Sequence, residues 1–162
     1  MSPITTWIFP GQGSQAVGMC REAFAASAAA RAVLAEAEEA LGEKIGALIA
    51  DGPAEALERT EQAQPAILIA SIALLAAARE RAATRGETIE TPLFAAGHSA
   101  GQYAAAVAAG ALGTADAVRL ARRRGELMQQ SGGGRAGAMA AILGLPESEE
   151  ARVVAEGADR KS

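Results

Sequence analysis

Five consecutive residues, Gly97-His98-Ser99-Ala100-Gly101, have the types and spacing that nucleophilic chemistry requires. A serine hydroxyl becomes a useful nucleophile when a sharp strand-to-helix turn projects it clear of its own backbone. Such a turn is crowded, so the flanking residues must be small. A short apolar run, Leu93 to Ala96, precedes the turn, and an Ala-rich stretch, Gln102 to Ala109, follows it. The helix that this stretch predicts points its N-terminus at the site and favours a developing negative charge. The pattern alone also fits an ordinary glycine-rich turn; the strand–turn–helix context gives it meaning.

A second glycine loop, Phe9-Pro10-Gly11-Gln12-Gly13-Ser14-Gln15, follows the β-prone run Thr5 to Phe9. Gly11-x-Gly13-x-x-Ala16 matches a dinucleotide-binding fingerprint, which needs a second strand ending in an acidic residue about twenty positions on. The corresponding stretch, Val33 to Glu39, is helical by composition, so the nucleotide reading fails. Two readings stay open. The loop can supply backbone N–H groups to an oxyanion hole, where glycines permit close approach to a reacting carbonyl, or it is a structural turn.

The third chemical residue is an arginine on an apolar face. In the helix predicted over Asp116 to Ser131, Ala117, Leu120, Ala121, Met128 and Ser131 share one stripe, with Arg119, Arg122, Arg123 and Glu126 opposite. Arg124 falls mid-stripe. Burying a guanidinium unpaired costs several kcal/mol, so it must find an anion or reach water. Its fork suits a carboxylate. A substrate carboxylate and a structural salt bridge both satisfy that demand.

The elements that must position these residues follow from periodicity and punctuation. Met19 to Leu41 reads as helix, broken near Ser27. Ile45 to Ala50 gives a helical turn, and Pro53 starts a helix over Ala54 to Thr60. Gln64-Pro65 opens a long helix to about Thr84, apolar nearly all round and therefore buried, with Gly86 ending it. Thr114 starts the helix of Arg124. Residues 131–134 form a flexible connector, Ala138 to Leu143 is a third strand candidate, and Pro146-Glu147 begins a last helix.

Composition narrows the function classes. In 162 residues, half are hydrophobic but only 3% aromatic, so the core is Ala, Leu, Ile and Val. A net charge of -4 offers no basic field for nucleic acid. With one cysteine, Cys20, and one histidine, neither an internal disulfide nor a Cys/His metal cluster is expected. Met1-Ser2-Pro3 lacks the basic start of a signal peptide. The longest apolar run, Ala66 to Ala78, falls short of the ~20 residues that span a bilayer. A soluble, cytoplasmic protein with no membrane partner is expected.

Together the segments resemble a known family. Phe9 to Gln15 is similar to the N-terminal signature of malonyl-CoA:acyl carrier protein transacylases and of acyltransferase domains in fatty-acid and polyketide synthases. Gly97 to Gly101 resembles their nucleophile motif, and Arg124-Gly125 their carboxylate-holding arginine. Gln64-Pro65-Ala66 and Gly137 to Ala141 fit as well.

The resemblance implies an α/β fold. Residues 1–131 would form part of a doubly wound, hydrolase-like acyltransferase core, and residues 132–162 a linker and the start of a small ferredoxin-like subdomain. It implies that Ser99 attacks the thioester of malonyl-CoA and that the amides of Gln12 and Ala100 hold the oxyanion. Arg124, His98 and Gln64 would line the substrate site. The phosphopantetheine thiol of an acyl carrier protein then takes the malonyl group, with no cofactor beyond the coenzyme A substrate and no metal.

Two departures stand out. Gln102 occupies a position where the family usually has Glu. The family's activating histidine belongs to the second half of its domain, whereas the single histidine here is His98. Side chains leaving a strand alternate in direction, so His98 is a poor base for Ser99; lining the pocket or packing suits it better. A truncated or split protein, inactive alone, is the resulting expectation. The alternatives are an unrelated serine esterase, which explains neither Gln12 nor Arg124, and a non-catalytic module that meets acyl carrier protein through Arg119 to Arg124.

Overall fold

The apolar run that dominates the sequence becomes helix α5, Thr60–Thr84, and the neighbouring elements pack against it. The structure is a computed structural model that describes residues 5–131 and, beyond them, residues 144, 146, 149, 152, 153 and 156. In chain order it runs β1 Thr6–Phe9, α1 Arg21–Ala26, α2 Ala28–Leu41, α3 Ile45–Asp51, α4 Ala54–Glu58, α5, β2 Phe94–Gly97, α6 Gly101–Ala108 and α7 Thr114–Ser131. The chain divides into two compact units, Met1–Ser131 and Gly132–Ser162. In the second, Arg152 forms ion pairs with Glu149 and Glu156 along one helical face. The third strand candidate and the glycine connector lie outside the described residues.

The architecture of the first unit is mixed α/β, mostly helical around a small parallel sheet. Strands β1 and β2 pair in parallel, Phe9 opposite Gly97. Parallel strands need a long crossover, and α1 to α5 supply it. One sheet face carries Trp7, Phe9 and Ala95 into the core. The other leaves Ile8 78% and Phe94 61% exposed.

Three local readings change. Helix α5 begins at Thr60, a turn before Gln64, so Pro65 lies inside it. Glu61 in that first turn complements the N-terminal dipole, while the proline removes a donor from the Glu61 carbonyl. Burial along α5 is complete only from Ala63 to Ala73, apart from half-buried Ser71; Leu74 is already exposed. On α7 the buried residues are Ala117, Val118, Ala121 and Gly125, whereas Leu120 faces solvent. Arg122, expected on the solvated side, is largely buried against Glu43 and Gln62. Gly125 sets this rotation, because it lets α7 rest on the backbone of Thr60 and Glu61; a Cβ there would lie 2.6 Å from both.

None of the described helices is long and apolar enough to cross a membrane.

Ser27 breaks the first helical stretch as expected and caps α2, its hydroxyl accepting from Ala30 N at 3.0 Å. Glu80 of α5 reinforces this end, accepting from Ala29 N at 3.2 Å. Hydrogen bonding from Ser27, then from the Ala29 and Ala28 amides, holds the Glu80 carboxyl below its usual 4.5. A lowered folded pKa contributes stability above about 4.5 that is lost as pH falls through the folded value. Glu80→Gln should therefore lower the melting temperature at pH 7, and its gap to the parent should close as melts are taken below pH 4.5.

Candidate active site

Sterics build the Ser99 turn. A Cβ on Gly97 would lie 2.0 Å from the Gly101 carbonyl carbon, and one on Gly101 would lie 2.5 Å from the carbonyl oxygens of Phe9 and Pro10. Both positions therefore accept only glycine at this spacing. The chain between them folds tightly, Gly101 N donating to His98 O at 2.8 Å. Ser99 is left with φ 50°, in the left-handed region. For a residue with a Cβ this costs about 1–3 kcal/mol, strain of the kind that gathers at functional sites. Its side chain stands at the start of α6, exposed at the surface of the first unit.

The first glycine loop abuts this turn. A Cβ on Gly11 would sit 2.5 Å from His98 O and 2.8 Å from His98 Nδ1, while His98 N donates to Phe9 O at 3.0 Å. Within the loop, Ser14 Oγ donates to Gly11 O at 2.7 Å and Gly13 N to Gln15 Oε1 at 2.8 Å. The Gln12 side chain turns away, Nε2 donating to Thr60 Oγ1 at 3.3 Å. Among the described residues, the backbone amides of Gln12 and Ala100 donate to no protein acceptor. Ala100 directly follows the exposed Ser99, and Gln12 follows the Gly11 that abuts His98.

Arg124 reaches the same place from α7. Its Nη2 donates to Ser99 Oγ at 3.2 Å and its Nη1 to Gln64 Oε1 at 2.8 Å. Gln64 is fully buried on α5. Among the described residues no carboxylate lies within ion-pairing distance of Arg124, so the salt-bridge alternative finds no partner there. Ser99, Gln64 and Arg124 thus meet at one point, with Ala100 and the Gln12 loop alongside. His98 is exposed on the loop side, and its side chain makes no hydrogen bond with Ser99.

Thr60, Met128 and Gly125 belong to this neighbourhood without having been singled out as site residues. Met128 Sδ accepts from Gln64 Nε2 at 3.2 Å. A glycine inside a helical pattern was the available signal for Gly125; Thr60 carries none.

A mixed α/β chain that turns one serine outward between strand and helix, facing an arginine from a separate helix, is the class that fold and site define together. The acyl transferase domain family matches residues 6–158, and the chain belongs to it. It is 43% identical over 153 residues to the malonyl CoA-acyl carrier protein transacylase of Escherichia coli K12, covering 94% of this chain and 48% of that protein. An acyl-carrier-protein-S-malonyltransferase structure from Bartonella henselae superposes with TM-score 0.79 at 38% identity, over 96% of this chain and 49% of that one. A structure of a type II PKS acyl-carrier protein in complex with its malonyl-transacylase matches with TM-score 0.69 at 40% identity, over 78% and 39%. The chain spans about half the length of the relatives it matches.

Gly97→Ala must push the turn off α6 and should destabilise the fold by roughly 1–3 kcal/mol, as overpacking does. Gly113→Ala, with open space around its Cβ, should stay within about 1 kcal/mol of the parent. Urea unfolding of the two variants checks the contrast.

Proposed function

We propose that the chain carries the acyl-accepting half of a malonyl-CoA:acyl carrier protein transacylase site, acting in the cytoplasm in fatty-acid or polyketide biosynthesis. The observation that carries this reading is the Arg124 guanidinium, without a carboxylate partner among the described residues, 3.2 Å from the Ser99 hydroxyl. A malonyl thioester has its electrophilic carbonyl and its free carboxylate one methylene apart. Seating the carboxylate on Arg124 therefore brings the carbonyl carbon to Ser99 Oγ.

Ser99 Oγ attacks that carbon, the amides of Gln12 and Ala100 receive the oxyanion, and the C–S bond breaks as coenzyme A leaves with a proton. The serine ester is then attacked by the phosphopantetheine thiol of an acyl carrier protein, and Ser99 regains its proton. The exchange is redox-neutral and calls for neither metal nor cofactor. Gln64 holds Arg124, and His98 lines the loop side. The base that accepts the serine proton belongs, on the family resemblance, to the second half of the domain, so both loading of Ser99 and release of the acyl group call for that half as well. On this reading residues 1–131 form part of a doubly wound, hydrolase-like core, and residues 132–162, most of them outside the described residues, correspond to a linker and the start of the small ferredoxin-like subdomain.

A non-catalytic carrier-binding module is less well supported. Arg119 pairs with Asp116, Arg122 with Glu43 and Arg123 with Glu126, so these arginines are already engaged. A serine esterase gives Arg124 no task.

Supplied with a second half of the domain that carries the activating histidine, the chain incubated with malonyl-CoA should gain one malonyl group by intact mass, mapped to Ser99 and lost in Ser99→Ala. Arg124→Ala should slow malonyl loading by about 10–100-fold, the weight of a charged hydrogen-bonded pair, while acetyl loading slows less. Equal slowing of both acyl groups rules out the carboxylate role.

A further inference from the structure

Gln64 is an amide sealed inside the protein, wholly out of contact with solvent. Its carbonyl end accepts from Arg124, and its NH2 end donates to Met128 Sδ at 3.2 Å. A guanidinium has donors only, so one orientation of the amide serves Arg124; turned over, it would aim N–H at N–H. Met128 stands one helical turn beyond Arg124 on α7, where residues four apart share a face. Thioether sulfur is a weak acceptor, yet among the described residues it is the one protein partner of the Gln64 NH2 group. Without it a buried donor is left unpaired, and the amide gains reason to shift toward water or turn over.

We infer that Met128 is a positioning residue. Its sulfur holds the Gln64 amide with oxygen toward Arg124, and the amide in turn keeps the guanidinium over Ser99. The inference rests on the reading that Arg124 receives the substrate carboxylate, but the arrangement is testable without any substrate. Met128→Leu keeps the bulk and deletes the acceptor. Met128→Gln keeps the length and supplies a stronger acceptor.

Phenylglyoxal modifies free guanidinium groups, and peptide mapping reports each arginine separately. In the ligand-free chain, Arg124 should react about fivefold faster in Met128→Leu than in the parent, and within about twofold of the parent in Met128→Gln. Arg122, with its side chain 15% exposed, reports any general loosening of α7 and should be unchanged in both. The inference is overturned if Arg124 reacts equally in Met128→Leu and the parent, if both variants speed it alike, or if Arg122 speeds up with it. A separate arm adds malonate to the parent: protection of Arg124 supports the carboxylate reading. If malonate fails to protect while the order of the variants holds, that reading falls and the positioning role of Met128 stands.

Discussion

Backbone pressed against backbone is the constraint on which the site depends. Gly11 lies against the His98 carbonyl, and Gly101 lies against the carbonyls of Phe9 and Pro10. No side chain fits at either contact. These approaches join the ends of two parallel strands that are far apart in sequence, and they leave Ser99 no conformation but the left-handed one that turns its hydroxyl outward. The hydrogen bonds of the turn follow from this proximity. A neutral amide-to-carbonyl bond contributes about 1 kcal/mol, too little to hold a strained serine without steric enclosure.

A second close approach sets the other half of the geometry. Because Gly125 has no side chain, α7 settles on the first turn of α5, and this brings Arg124 to Ser99 and within hydrogen-bond reach of Gln64 on α5. The glycine costs α7 about 1 kcal/mol of intrinsic helix propensity. Burial in the core offsets that cost, with Val118 and Ala121 both fully buried. Arg122 is drawn inward by the same close approach and finds Glu43 and Gln62.

Features that depend on residue size and local periodicity were legible in the sequence. The turn around Ser99 and the break at Ser27 each follow from a few adjacent residues. Features decided by a distant partner were not. Leu120 was expected in the buried stripe and lies outside it, because the facing of α7 is chosen by its contact with α5 rather than by its own moment. Pro65 looked like a helix opener because proline is tolerated in a first turn; Thr60 and Glu61 extend the helix ahead of it. The partnership of Met128 with Gln64 joins residues 64 positions apart, beyond what spacing along one helix encodes.

The serine belongs to a strand–helix bend, whereas Arg124 belongs to α7 and Gln64 to α5. On the proposed function, the bond-making serine and the arginine that measures the incoming group are thus carried by separate elements and meet through a single hydrogen bond. If that function holds, substitutions at positions 124 and 64 would change which acyl chains are welcomed while the glycine contacts of the bend stay in place, so cargo could diversify without new chemistry.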